Sequence, residues 1–144
     1  MATEVSNKIK YLLATGVIDF SADTFKIALM QSGFTFNKDD DHAYADISAD
    51  ELGFGNGYTT GGATLVLTAV TEDDIDNRTE VTWENATWTA HEGSIGPTPG
   101  AIVYDDTVAA PVAKPIVGYI DFNGNQTQAD GGTATISNIE FRIA

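Results

Sequence analysis

Residues 24–30 read TFKIALM, and the apolar side chains in this stretch recur at every second position. Phe25, Ile27 and Leu29 share one face of an extended chain, whereas Thr24, Lys26 and Ala28 share the other face. A period of two, with β-branched and aromatic residues on the apolar face, is typical of a strand that is buried on one side. The stretch therefore predicts a half-buried β-strand.

Further apolar stretches of similar length follow, and turn-forming residues separate them. In two of them the alternation changes parity, at residues 84–85 and at residues 137–138, which predicts a β-bulge or a tight turn at each place. The pattern favours a mostly-β fold, an antiparallel β-sandwich or jelly-roll-like domain. The predicted strands are ATLVLTAV at 63–70, VTWENATWTA at 81–90, AIVY at 101–104, PIVGYIDF at 115–122 and TATISNIEFRIA at 133–144.

Helical spacing occurs near the N terminus, in TEVSNKIKYLLATG at residues 3–16. Ser6 is a candidate N-cap, and Gly16 is a candidate for the residue just beyond the helix. We therefore divide the chain into an N-terminal arm or short helix at 1–16 and a single β-domain at 17–144.

The segments between the strands are polar or rich in glycine and proline. In residues 37–52, the spacing of Ser48 and Glu51 matches a capping box and predicts one helical turn. SIGPTPG at 94–100 is predicted to be irregular, and residues 71–77 form an acidic turn. NGNQTQADGG at 123–132 predicts the turn of a hairpin.

Charge and composition limit the classes of function. The 144 residues carry a net charge of −14, with +1 in residues 1–38 and −15 in residues 39–144. Such a surface repels phosphates and anionic lipids, so we expect no binding of nucleic acid or membrane. There is no cysteine, no apolar run near the ~20 residues of a membrane span and no signal-peptide pattern, so we expect a soluble protein.

The stretch GFGNGYTTGG at 53–62 contains five glycines in ten positions and raises the question of a phosphate-binding loop. Such a loop leads into a helix N-terminus, and a Walker loop also carries a Lys-Ser/Thr pair. Here a strand-like stretch follows and no lysine is near. The loop is better interpreted as a corner or an interface loop, with Phe54, Asn56 and Tyr58 as candidate contact residues.

Candidate catalytic and metal-binding residues are few. His42 and His91 are the histidines of the chain, and neither belongs to a recognisable nucleophile–base motif. The acidic runs at 39–41 and 72–76 contain oxygen ligands that suit Ca²⁺ or Mg²⁺, but neither matches an EF-hand loop. Solvated acidic turns are the favoured interpretation, and a bound cation would be weak and structural. We expect no enzyme activity, no cofactor and no metal.

Trp83 and Trp88 lie close together in the sequence. If exposed, they would suit a carbohydrate-binding platform, whereas aromatic residues more often fill a core. The parity change between them places the two rings on opposite faces, which favours core or subunit-interface roles.

Six stretches together resemble small virion structural proteins of tailed bacteriophages and prophages. The resemblance extends from about Ser6 to Ala144 and includes no catalytic motif. The stretches are TFKIALMQSGF, GNGYTTGGATL, RTEVTWENATWTA, GSIGPTPGAIVYDDT, PIVGYIDF and ISNIEFRIA.

By size and character the chain looks most like the capsid decoration (cement) or head-accessory proteins of that group. The resemblance implies a virion protein that is assembled in the bacterial cytoplasm and added to the outside of the head, often as a homotrimer. Its partner would be the major capsid protein. Residues 8–12, which are Lys8, Ile9, Lys10, Tyr11 and Leu12, are candidates for a docking arm. In the competing interpretation the helix closes one end of the β-domain.

Two alternatives remain open. A tail or neck protein such as a tail-tube subunit would form hexameric rings, so the oligomeric state separates it from a decoration protein. A carbohydrate- or receptor-binding β-module would require exposed aromatic side chains.

Overall fold

A computed structural model describes residues 2–144 and forms three antiparallel sheets with two short helices. The mostly-β antiparallel class with one short N-terminal helix is therefore confirmed, and the sandwich or jelly-roll arrangement stays a prediction. In chain order the elements are β1 Ala2–Val5, α1 Asn7–Ala14, β2 Phe25–Leu29, α2 Tyr44–Ile47, a 3-10 turn Ser48–Asp50, β3 Ala63–Thr64, β4 Leu67–Asp73, β5 Arg78–Trp83, β6 Ala86–Thr89, β7 Ile95–Asp105, β8 Ile116–Gln128, β9 Thr133–Ile136 and β10 Ile139–Ile143.

The five-stranded sheet has the order β1-β8-β7-β2-β3, and both of its faces are covered. On one face, Ile27 of β2 and Val103 of β7 belong to the larger core cluster. On the opposite face, Ala28 is completely buried in a second cluster, together with Phe36 and Ile47. The prediction that β2 is half-buried was therefore wrong, because the segment between β2 and β3 covers its outer face.

The two smaller sheets pack on the inner face of the large sheet. They have the orders β10-β5-β4 and β6-β9, and their buried side chains join the larger cluster. Trp83 of β5 lies between Phe25 and Phe141, with ring centroids 5.6 and 6.2 Å away. Aromatic side chains bury large apolar areas, so this group connects two sheets at the centre of the core.

Both predicted parity changes coincide with breaks between strands. β5 ends at Trp83 and β6 begins at Ala86, and the two strands belong to different sheets. Likewise, β9 and β10 are separated by Ser137 and Asn138, and Asn138 has a φ of +55°. The chain moves from one sheet to another at each break.

Three other strand boundaries differ from the sequence prediction. Residues 63–70 are divided between β3 and β4, which belong to different sheets. Residues 95–100 are extended and belong to β7, and residues 123–128 belong to β8. β7 and β8 pair through several register shifts, so glycine and proline mark bulges within long strands here rather than turns.

Helix α1 begins and ends where the sequence predicts. Ser6 occupies the N-cap position, although its side chain makes no capping hydrogen bond. At the other end, Gly16 has a φ of +74°, and its N–H donates to Leu13 O at 3.1 Å. The Val17 N–H donates to Leu12 O at 2.9 Å, which completes a Schellman motif.

The N-terminal segment is an integral part of the fold rather than an arm. Strand β1 pairs with β8 in the large sheet, and the Ser6 N–H donates to Val117 O at 2.9 Å. Ile9 and Leu12 are completely buried in the larger core cluster. The apolar face of α1 therefore contributes to closing the core of the β-domain.

The capping box at Ser48 and Glu51 was also wrong. One 3-10 turn does occur at Ser48–Asp50, directly after α2, but Glu51 is extended and its side chain points into the protein. The Asp46 carboxylate accepts hydrogen bonds from the N–H groups of His42 and Ala43 at the start of α2, 3.0 Å each. Within residues 2–144, no helix is long and apolar enough to cross a membrane.

Candidate functional site

The glycine-rich loop at 53–62 rests on a buried carboxylate. Glu51 is 5% exposed, and its carboxylate accepts hydrogen bonds from the Tyr58 hydroxyl at 2.6 Å and from the Gly61 N–H at 2.8 Å. The hydroxyl of Tyr44 donates a third, short bond to the same carboxylate. A buried carboxylate is stable where several donors face it, and two of these donors, Tyr58 and Gly61, belong to the loop.

The tyrosines around Glu51 act as neutral donors. Burial, followed by the hydrogen bond to Glu51, raises the pKa of Tyr58 and of Tyr44 far above the ordinary value. The Tyr58 oxygen also accepts the Leu29 N–H at 3.0 Å, and Tyr104 donates to Gly61 O at 2.6 Å. These contacts give the cluster a structural role, in which it fixes the loop on β2 and β7.

The glycines of this loop allow close contact between backbones. A Cβ at Gly62, whose φ is +79°, would lie 1.8 Å from Ile27 O, and a Cβ at Gly57 would lie 2.0 Å from Thr89 O. The loop leads into β3 rather than into a helix, so it lacks the helix N-terminus that a phosphate loop requires. The loop is a turn of the chain that packs against the backbones of β2 and β6.

The three predicted contact residues of the loop have different positions. Phe54 is 77% exposed and projects into solvent. Asn56 is also exposed, and its Nδ2 donates to Ser94 O at 3.1 Å, which joins the loop to the segment before β7. Tyr58 is 1% exposed, and its hydroxyl donates to the Glu51 carboxylate.

The residues predicted to form a docking arm also differ in exposure. Ile9 and Leu12 are buried and unavailable to a partner. Lys10 and Tyr11 point outward, and the half-buried Lys8 places its Nζ 5.2 Å from the centre of the Tyr11 ring. The outer face of α1 is thus basic and aromatic, while its inner face belongs to the core.

A second buried carboxyl group was missed by the sequence analysis. Asp105, at the end of β7, is completely buried, and its carboxyl lies near that of Asp23. Its Oδ1 accepts the N–H groups of Thr107 at 2.8 Å and Val108 at 3.3 Å, whereas Oδ2 has no donor. Burial and the contact with Asp23 raise the pKa of Asp105 to about 7. Because Asp105 is enclosed, no substrate reaches it.

The two histidines lie in different surface turns, and the two acidic runs do as well. His91 is largely exposed, with its Nε2 3.8 Å from the Glu92 carboxylate, while the His42 ring contacts Asp39 O. Within residues 2–144, no three metal-ligating side chains come together. In the acidic turn after β4, Asp73 and Asp76 pair with Arg78 at 3.4 and 3.3 Å.

The aromatic residues that would form a carbohydrate platform face inward. Trp83 is 4% and Trp88 7% exposed, and they lie in two different sheets. Beside Trp88 there is a groove of about 300 Å³ between β6–β9 and the distal ends of β7 and β8. Its lining combines apolar side chains such as Phe122 with amide and hydroxyl groups such as Gln126, and it contains no ionisable side chain. The groove lacks the acid–base pair that hydrolysis of a glycan needs.

In the sequence, Glu51 and Asp105 each lie beside a recognisable feature, but neither feature shows that the acid is buried. Glu51 precedes the glycine-rich loop, and Asp105 directly follows the apolar run AIVY.

Comparison of the chain with protein families, with curated proteins and with solved structures gives no match.

Proposed function

We propose that this chain is a virion structural protein of a tailed bacteriophage, a capsid decoration or cement protein. It binds the outer surface of the head, with the major capsid protein as its partner, and stabilises the shell through protein–protein contacts. The proposal starts from the six sequence stretches that resemble small phage structural proteins.

The position of the exposed apolar side chains supports this proposal most. Phe54 and Ile75 are 77% and 90% exposed; Phe54 lies in the loop before β3, and Ile75 lies in the turn between β4 and β5. Hydrogen bonds from Tyr58 and Gly61 to the buried Glu51 hold the loop of Phe54 in place, so the exposed Phe54 ring is well positioned. Aromatic side chains on rigid supports are the usual anchors of protein interfaces.

The charge distribution supports an exposed position at high copy number. The net charge of −14 favours solubility at high local concentration. A repeated shell gains strength from many modest contacts, so each copy needs only a small number of anchor side chains.

Binding to empty heads tests the proposal. Heads assembled without this protein are mixed with the purified chain and sedimented, and tails from the same phage are the control. We expect saturable binding to heads and none to tails. A Phe54→Ser variant should bind heads about tenfold or more weakly, whereas Val66→Ser, at an exposed apolar position elsewhere, should bind normally. Binding to tails alone would contradict the proposal.

A tail or neck subunit is the alternative that a structural observation favours. Within residues 2–144, no strand pairs with the outer edge of β4, which is seven residues long. An open edge of this length allows strand addition between subunits of a ring. Hexameric rings or open-ended tubes of the purified protein would favour this alternative.

The carbohydrate- or receptor-binding module has less support. It requires aromatic rings that are exposed together, whereas Trp83 and Trp88 are both buried. Fluorescence that is blue-shifted and poorly quenched is the corresponding expectation in solution.

A further inference from the structure

Two exposed surfaces of the chain have opposite charge and each has an apolar side chain at its centre. The first, which we call the basic face, is the outer side of α1 with Lys8, Lys10 and Tyr11. The second, which we call the acidic tip, is the end of the β4–β5 hairpin with Glu72, Asp74 and Ile75.

The basic face is the part of α1 that the core does not use. Tyr11 is 59% exposed, and the Lys8 ammonium lies over its ring. Within residues 2–144, neither Lys8 nor Lys10 forms an ion pair, in contrast to Lys38, which pairs with Glu4. Both ammonium groups are therefore available to an acidic partner.

The acidic tip carries the most exposed large apolar side chain of the described residues. Ile75 is 90% exposed, and Glu72 and Asp74 beside it are exposed as well. The Asp73 carboxylate accepts the N–H groups of Ile75 and Asp76 at 3.1 Å each, so the turn has a defined shape. Arg78 is engaged by Asp73 and Asp76, which leaves Glu72 and Asp74 without a cation.

We infer that the acidic tip of one copy binds the basic face of a second copy, with Ile75 against Tyr11 and the two acids against the two lysines. The charges select this occupant, because a chain of net charge −14 otherwise repels its own copies, and α1 is the segment with two adjacent unpaired cations. The two surfaces differ, so the contact is head-to-tail and closes into a ring when the rotation allows. This inference concerns contacts between copies, and it holds whether or not the protein binds a phage head.

Charge reversal tests the contact, with light scattering after size exclusion as the measurement. The wild-type chain should self-associate, more strongly at about 0.1 M salt than at about 1 M salt. Either K8E/K10E or E72K/D74K should weaken association about 10- to 100-fold, because each reverses one surface. The combined four-substitution variant should regain association, since both surfaces are then reversed.

A matched control separates the local contact from net charge. The variant E92K/D130K changes the net charge as E72K/D74K does, at exposed positions outside both surfaces, and should associate like the wild type. A wild-type protein that is monomeric at all concentrations would overturn the inference, as would a four-substitution variant that associates no better than the two parents. Head sedimentation is measured separately, so a loss of self-association and a loss of head binding are distinguishable.

Discussion

At the scale of single residues, Glu51 and Asp105 are both buried carboxylates, and their partners differ. Glu51 faces three donors, the hydroxyls of Tyr44 and Tyr58 and the N–H of Gly61. Asp105 has donors at Oδ1 only, and its buried Oδ2 has no hydrogen-bond partner. Burial and the nearby Asp23 favour the protonated form of Asp105, since they raise its pKa.

Removal of the Glu51 carboxylate should destabilise the protein. Glu51→Ala leaves the buried Tyr58 hydroxyl, the part-buried Tyr44 hydroxyl and the Gly61 N–H without this acceptor, and each unsatisfied donor costs free energy. We expect a loss of about 3 kcal/mol in the free energy of unfolding, measured with denaturant. Glu84→Ala, at an exposed position, is the control and should change it little. Equal losses in the two variants would contradict the structural role of Glu51.

The Asp105 pair should make stability depend on pH. The folded pKa of about 7 lies above the ordinary value of 3.8, so between about pH 4 and 7 the folded chain binds more protons at this site than the unfolded chain. Its contribution to stability is therefore complete below about pH 4 and is lost as the pH rises through 7. The loss is on the order of 3 kcal/mol.

Asp105→Asn isolates this contribution. An asparagine side chain is uncharged at any pH, as the protonated acid is. The variant should match the wild type near pH 4 and be more stable near pH 8 in denaturant titrations. Asp130→Asn, in an exposed turn, should leave the pH dependence as it is. If the wild type and Asp105→Asn lose equal stability between pH 4 and pH 8, the raised pKa of Asp105 is contradicted.

At the scale of elements, two segments that look like surface additions in the sequence are parts of the core. The loop at 53–62 is hydrogen-bonded to the buried Glu51, and two of its glycines lie against the backbones of β2 and β6. Helix α1 lies between β1 and the turn at Gly16 and buries its apolar side. Both segments position exposed side chains on rigid supports.

The glycine at the contact with β2 should not tolerate a side chain. In Gly62→Ala, the Cβ would lie 1.8 Å from Ile27 O, and the φ of +79° is unfavourable for alanine. We expect a loss of more than about 2 kcal/mol in thermal or denaturant unfolding. Gly53→Ala is the matched control, because its Cβ meets nothing within 4 Å and its φ is ordinary. A tolerated Gly62→Ala would contradict the close packing of the loop.

The two sides of α1 should respond differently to truncation of side chains. Leu12 is completely buried, so Leu12→Ala should cost about 2–5 kcal/mol of stability. Tyr11→Ala removes an exposed ring and should leave the free energy of unfolding nearly unchanged. Deletion of residues 2–15 should unfold the protein, whereas an arm would leave a folded body behind. Circular dichroism of the truncated chain distinguishes the two outcomes.

At the scale of the whole molecule, local patterns predicted the class of fold, but long-range contacts determined the burial. The parity changes at 84–85 and 137–138 were informative because each reflects the local direction of side chains. Ala28 was placed on an exposed face because nothing local indicates that Phe36 and Ile47 cover it. Glu51 matched a local capping motif, yet its hydroxyl and N–H donors lie seven to ten residues away in the sequence.

The location of the protein in the phage particle tests the central claim most directly. Intact particles of a phage that encodes this chain are labelled with gold-conjugated antibody and viewed by electron microscopy. Our account predicts gold on the outer surface of the head in every filled particle. Gold along the tail or at the neck, or particles that contain none of the protein, would contradict it.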